Sequence, residues 1–292
     1  MLDELAVREA AMAYVAARST RNGGVITRQE LEGFEFAGRQ LKLIDQSRGI
    51  RNPRELEATI SVLSQPRGPY EDVITGHGLL RYAYRAGDPN TGDNRKLRRA
   101  AELGLPLILL RGIAPAVFVP VFPVYIARDV PEERYVEVAL DESLRFLSDS
   151  ESLDQRAYAV RLTRQRLHQS EFRARVLLAY ETRCAMCRLH HAELLDAAHI
   201  LADTHPRGTP VVPNGLSLCK IHHAAYDQNF IGVRPDLVIE VQTELLHESD
   251  GPMLRHGIQE LAGASLLVPR ARSARPDRER LEERYAAFRA AS

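Results

Sequence analysis

Apolar residues recur at helical spacing from Leu2 to Ala17, which predicts a helix over residues 1–20. Gly23-Gly24 ends it. Thr27 stands three residues before Glu30, a capping-box pattern that opens a short second helix. From Phe34 to Leu140 the texture changes. Short apolar runs at 78–84, 106–112, 116–119, 121–125 and 135–140 alternate with Gly, Pro, Asp and Asn turns. That pattern predicts a β-rich domain, a small barrel or strongly curved sheet, interrupted by one helix near 94–103. Residues 141–152 are acidic and serine-containing and read as the start of a linker. A long helix rich in Arg, Gln and Leu is expected over 153–182. After Ile231-Gly-Val the chain holds one strand-like run at 237–242, a Gly251-Pro turn and a charged helix from Pro276. No internal repeat or low-complexity tract is present. The expected organisation is α+β, with a β-rich domain at 1–145, a helical linker at 146–178 and a C-terminal domain at 179–292.

The 292 residues suffice for two domains with separate cores, and the apolar (45%) and charged (27%) fractions are ordinary for a globular protein. The longest apolar stretch, 103–127, is broken by Pro106, Arg111, Pro115, Pro120 and Pro123, which excludes a membrane helix and favours short strands. The acidic first residues show no signal-peptide pattern. Lys plus Arg (39) balance Asp plus Glu (39), so there is no overall basic surplus. Phosphate contact demands local positive charge instead. Two clusters supply it: Arg95, Lys96, Arg98 and Arg99, then Arg156, Arg161, Arg164, Arg166, Arg173 and Arg175. A run of arginines on a helix is usually a solvated face, but the second cluster directly precedes the chemistry-bearing segment. Arg95, Arg164 and Arg166 are the candidate DNA-backbone contacts.

The three cysteines all fall in that segment. Cys184 and Cys187 form one C-x-x-C pair, and Cys219 and His222 form a C-x-x-H pair. This spacing suits a closed tetrahedral Zn²⁺ site with three thiolates and one imidazole. Cysteines committed to a metal fit a reducing cytoplasm rather than a disulfide scaffold. His199, Asn214 and His223 are left over, one from each segment such a zinc would join. Taken singly, they read as a satisfied core histidine, the left-handed residue of an Asn-Gly turn, and a helix-surface histidine.

Taken together, the run resembles the zinc-stapled branch of the HNH nucleases. The resemblance implies a ββα-metal arrangement, with a strand at 194–200, a loop and return strand at 211–218, and a helix at 220–229. It makes His199 the general base, Asn214 the residue that orients its imidazole or the loop around it, and His223 a ligand of a catalytic Mg²⁺ or Mn²⁺. Many members place an Asp immediately before the base. Here that position is Ala198, leaving Asp196, on the opposite strand face by alternation, or Asp227, one helical turn beyond His223. A non-catalytic zinc-dependent DNA binder is the alternative.

A second resemblance lies upstream. Tyr70-Glu71-Asp72, the glycines Gly76 and Gly78, the run carrying Tyr82 and Tyr84, and Asp93-Asn94-Arg95 resemble the SRA (SRA/PUA-like) domain, which binds DNA bases modified at cytosine C5. The resemblance implies a pocket for a flipped base, with Tyr70 and Tyr82 stacking and Asp72 accepting from the cytosine 4-amino group. Tyr84, on the same strand face as Tyr82, is the alternative stacking residue. The combination resembles bacterial modification-dependent restriction endonucleases of SRA-HNH type. It implies cytoplasmic cleavage of double-stranded DNA carrying 5-methylcytosine or 5-hydroxymethylcytosine, with no membrane partner. A homodimer would supply the two active sites that double-strand cutting needs. An HNH nuclease reading unmodified DNA is the rival enzyme.

Overall fold

A computed structural model describes residues 2–64, 74–76, 78–146 and 153–291, apart from the side chains of Phe146, Leu153, Arg156 and Arg164. The chain divides into two units, Met1–Thr20 with Gly24–His168, and Arg21–Gly23 with Gln169–Ser292.

The first unit opens with α1 (Glu4–Arg21), β1 (Ile26–Thr27) and α2 (Arg28–Glu32). The expected capping box forms: the Thr27 hydroxyl accepts from Glu30 N, and Thr27 N donates to the Glu30 carboxylate at 2.9 Å. Short strands β2 (Glu35–Phe36), β3 (Arg39–Gln40) and β4 (Ile50–Arg51) lead to β5 (Ser61–Ser64) and β6 (Leu80–Ala83). Then come α3 (Gly92–Glu102), β7 (Leu107–Ala114), β8 (Val117–Val130) and β9 (Tyr135–Ala139). The main sheet has the order β4-β5-β7-β8-β9-β6, with β1 added on β8; β5 and β7 are parallel and the other pairs antiparallel.

β7 explains why this part of the sequence reads as continuous apolar runs. Its Leu107 and Leu109 enter one core with Val62, Val124, Val136 and Val138, while Ile108 and Leu110 enter another with Val7, Ala11 and Val15 of α1. A strand buried on both faces has no polar alternation to show. Each such side chain contributes about 1.5–3 kcal/mol by leaving water.

The runs at 116–119 and 121–125 belong to one long strand: Pro120, between them, keeps its register opposite Leu110. Leu107 and Leu109 pair with Val124 and Val121, so β8 carries an extra residue there, and exposed Pro123 lies inside that bulge. Beyond it β8 leaves β7 and pairs with β9 from Tyr125 to Val130, which curls the sheet. Glu142–Phe146 forms a 3₁₀ turn, and α4 (Leu153–Ala179) runs from the first unit into the second.

The second unit continues with β10 (Leu195–His199), β11 (Gly215–Cys219), α5 (Lys220–Asp227), β12 (Ile231–Val233) and β13 (Ile239–Val241). Helices α6 (Thr243–His247), α7 (Pro252–Gly257) and α8 (Arg278–Ala291) follow. β10 pairs with β11 and β12 with β13, both antiparallel. One core joins Phe172 and Val176 of α4, and Tyr180 just after it, to Leu216, Leu218, Tyr226, Ile231 and Leu281. Phe288 of α8 packs so closely on β12 that a Cβ at Gly232 would lie 2.5 Å from its ring. Among the described residues, no helix is long and apolar enough to cross a membrane.

A buried cation docks α1 on the sheet. The Arg8 guanidinium, fully buried, donates to Thr59 O (2.8 Å), Ala58 O (3.2 Å) and Pro106 O (2.7 Å), and pairs with Glu4 at 2.6 Å. Arg8→Ala strands these acceptors and is expected to destabilise the first unit by about 3–5 kcal/mol. Urea unfolding of the substituted and unsubstituted chains measures the difference.

Candidate active site

The site is a hairpin followed by a helix. β10 and β11 run in register from Leu195↔Cys219 to His199↔Gly215, and α5 starts at the next residue, Lys220. The hairpin places His199 at a strand end, and the first turn of α5 carries His222 and His223. Gly215 is dictated by packing: a Cβ there would lie 2.5 Å from Val176 and 2.9 Å from Phe172, so α4 rests against the backbone opposite His199.

Cys184, Cys187, Cys219 and His222 converge, with their four ligand atoms within 4.8 Å of one another. The first pair sits in a tight loop closed by Arg188 N donating to Cys184 O and Cys184 N donating to Leu189 O, both at 3.0 Å. The His222 Nδ1 lies 3.4 Å from the Cys184 sulfur and 3.1 Å from that of Cys219, and the Cys187 and Cys219 sulfurs are 4.0 Å apart. The other ring nitrogen, Nε2, donates to Gly257 O at 2.7 Å, which leaves Nδ1 facing the sulfurs. Burial pulls the His222 pKa down, but hydrogen bonds to Cys184 and Cys219 outweigh it and push it up to about 10. This cluster can hold a metal ion.

The three remaining residues occupy distinct surroundings. His199 is half-buried, its ring stacked on Phe172 with centroids 4.2 Å apart and planes 19° off parallel. Its Nε2 is buried and has no hydrogen-bond partner among the described residues. Burial lowers its pKa; Asp203 and Asp227 oppose the shift and His223 adds to it. Asn214, fully buried, accepts from Leu201 N (3.0 Å) and donates to Leu201 O (3.0 Å) and Thr209 O (3.2 Å). Its carboxamide thus holds the loop between the strands. His223 lies between two carboxylates: Nδ1 is 3.7 Å from Asp196 and Nε2 3.3 Å from Asp227. Those contacts outweigh burial and push its pKa up to about 9. Asp196 also meets Arg173 (3.4 Å) and Lys220 (3.5 Å), and its carboxyl is held well below the usual range: burial opposes this, but His223 and the Ala197 amide prevail.

Sequence reasoning passed over Asp203, Phe172 and the C-terminal helix. The helix grips both halves of the site. Glu283 of α8 meets His205 (2.9 Å) and Arg207, Glu279 meets Arg207 (3.2 Å), and Arg280 donates to Thr209 (3.2 Å). Arg284 donates to Tyr226 O and Asn229 at the end of α5 and covers the Tyr226 ring. The one available sign was the recurrence of like charges one helical turn apart, Glu279 with Glu283 and Arg280 with Arg284, which marks charged helix faces in want of partners without naming them.

In the first unit, Tyr82 and Tyr84 are core residues, 8% and 4% exposed. The Tyr82 hydroxyl donates to Gly49 O at 2.9 Å and that of Tyr84 to Asp129. Tyr70 and Asp72 lie outside the described residues, as does the Arg164 side chain. Arg95 is exposed on α3, and Arg166, exposed on α4, pairs with Asp141.

Residues 184–234 match the HNH endonuclease family, so the chain carries an HNH endonuclease domain there. Among curated proteins none matches. Among solved structures, the chain is similar to a "Modification dependent TagI restriction endonuclease", at 14% identity and TM-score 0.31, over 83% of this chain and 86% of that one. It is also similar to the "Type IV phosphorothioation-dependent restriction endonuclease ScoMcrA", at 14% identity and TM-score 0.23, over 82% of this chain and 52% of that one, about half its length.

Asn214→Ala removes three hydrogen bonds from a buried position and is expected to cost about 1–3 kcal/mol. Thermal unfolding reads the loss. Hydrogen exchange at the Leu201 amide, sheltered by the Asn214 oxygen, should accelerate with it.

Proposed function

We propose that the protein is a metal-dependent endonuclease that cuts double-stranded DNA carrying 5-methylcytosine or 5-hydroxymethylcytosine, in restriction of modified foreign DNA. The observation that carries the nuclease reading is the pairing, within the HNH segment, of two histidines in opposite states. His199 is half-buried, its Nε2 buried and without a hydrogen bond among the described residues, and His223 is held between carboxylates.

The structural metal is zinc. Three thiolates and one imidazole are its common closed donor set, and Zn–S of about 2.3 Å with Zn–N of about 2.0–2.1 Å gives tetrahedral edges of roughly 3.5–3.8 Å. The observed separations of 3.1, 3.4 and 4.0 Å bracket those edges. Unpaired thiols at this site fit a cytoplasmic setting.

The second ion, Mg²⁺ or Mn²⁺, would polarise the scissile phosphate and stabilise the departing oxygen when bound. His223 would hold it through Nε2, on the edge where Asp227 lies, because Asp227 and Asp203 are the acids whose charges reach His199. Asp196, on Nδ1, would fix the ring and its tautomer, as carboxylates do for ligating histidines. His199 would take the proton of the attacking water, which requires its neutral form. Asn214 holds the loop that carries the phosphate-facing side of the hairpin.

Modified-base reading rests on the SRA resemblance. With Tyr82 and Tyr84 anchored in the core, the stacking role falls to Tyr70 and the amino-group contact to Asp72. Arg95, Arg164 and Arg166 would meet the phosphates, and two copies of the chain would cut both strands.

Cleavage of three otherwise identical duplexes, bearing cytosine, 5-methylcytosine or 5-hydroxymethylcytosine, tests the proposal in Mg²⁺ and in Mn²⁺. Cutting confined to the modified duplexes is expected, and His199→Ala should abolish it while DNA binding persists. Equal cutting of all three would remove the modified-base reader and leave the nuclease.

The pH dependence has a definite sign. His199 works neutral and its pKa lies below 6.5, so at saturating metal the acid limb of the rate profile should fall below pH 6.5. His223, with a pKa pushed up to about 9, must lose its proton to ligate, so apparent metal affinity should rise with pH towards 9. An acid limb centred above pH 7 under saturating metal would argue against His199 as the base.

A further inference from the structure

The base must be aimed as well as neutral, and Asn214 does not aim it, because its carboxamide is engaged by the Leu201 and Thr209 backbones. The group that touches the His199 ring is Phe172, stacked at 4.2 Å and 19°. Phe172 is itself fixed. It is 3% exposed, packed in one core with Val176 of the same helix and Tyr180 just beyond its end, and its ring tip meets the backbone at Gly215, the cross-strand partner of His199. Strand register, helix packing and ring plane are therefore set by one contact. The buried Nε2 has no hydrogen bond among the described residues to set its direction, so the flat face beneath the ring supplies the constraint.

We propose that Phe172 is the positioning residue of the general base: its face fixes the ring angle at which the His199 imidazole takes the proton of the attacking water. The charged groups facing the ring, Asp203 from the loop after β10 and His223 and Asp227 from α5, act through space and cannot fix a ring angle. This inference rests on the reading of His199 as the base. It differs from that reading in naming an apolar residue, outside the HNH segment, on which proton transfer depends.

The test uses the full chain with Phe172→Leu, or Phe172→Met if the first does not fold; both fill apolar volume without a flat face. Steady-state cleavage is measured on whichever of the three duplexes the unsubstituted protein cuts, alongside zinc content and melting temperature. The His199 ring-proton shifts are recorded by NMR with ¹³C-labelled histidine. The expected result is a kcat lower by about tenfold to a hundredfold at unchanged KM and zinc content, together with loss of the upfield ring-current shift of His199. Unchanged kcat in a variant that has lost the ring-current shift would overturn the proposal. So would loss of zinc and of KM in parallel with kcat, which would make Phe172 a packing residue only. Wild-type cutting by His199→Ala would instead sink the base assignment, and any catalytic role for Phe172 with it, while the NMR shift would still report the stack.

Discussion

Four donor atoms within 4.8 Å of one another are the constraint on which the second unit turns. Cys184 and Cys187 come from the loop after α4, Cys219 from the end of β11 and His222 from the first turn of α5. An ion shared by these groups fixes where the hairpin ends and in which direction the helix leaves it. His223 follows His222 directly, so the same geometry decides which way the second histidine faces. The segment after the HNH region completes the arrangement: Gly257 O holds the back of the His222 ring, and α8 binds the hairpin loop on one side and the end of α5 on the other. The residues beyond 234 are thus part of the framework of the site.

Two histidines in one small site are driven apart by their surroundings. Burial favours the neutral form of His199, while Asp196 and Asp227 make His223 the stronger base towards protons. Separating the states of two like groups by environment is a general way to assign distinct roles to them. It does so here without an Asp at position 198, where the fully buried Ala198 belongs to the core and a carboxylate would lack solvation. The acids come from the helix and the loop instead.

Spacing made much of this legible. The two C-x-x-[CH] pairs and the histidines left between them were readable because ligand spacing is local, and the structure brings the cysteines and His222 together as that spacing requires. The two strands and the helix of the ββα unit fall close to the limits that the HNH resemblance implied. What spacing could not carry was contact between distant segments. Phe172 reads as one apolar residue among several on a helix, and α8 reads as a charged surface helix, because their partners lie elsewhere in the chain. In the first unit Pro120 suggested two runs where its pairing opposite Leu110 keeps one strand. Tyr82 and Tyr84 had the residue type and spacing of stacking groups, but alternation does not say which face of β6 the core covers: here it is the face that carries both tyrosines.

The proposed function needs one ion to build the site and a different ion to work in it. The direct measurement strips the protein of metal, restores Zn²⁺ alone, and then adds Mg²⁺ or Mn²⁺, following metal content and cleavage of C5-modified DNA in the same samples. One zinc per chain, a refolded but inactive HNH unit, and cutting that begins only with the second addition are expected. Cutting by the metal-stripped chain in Mg²⁺, or full activity with zinc alone, would contradict the proposed function.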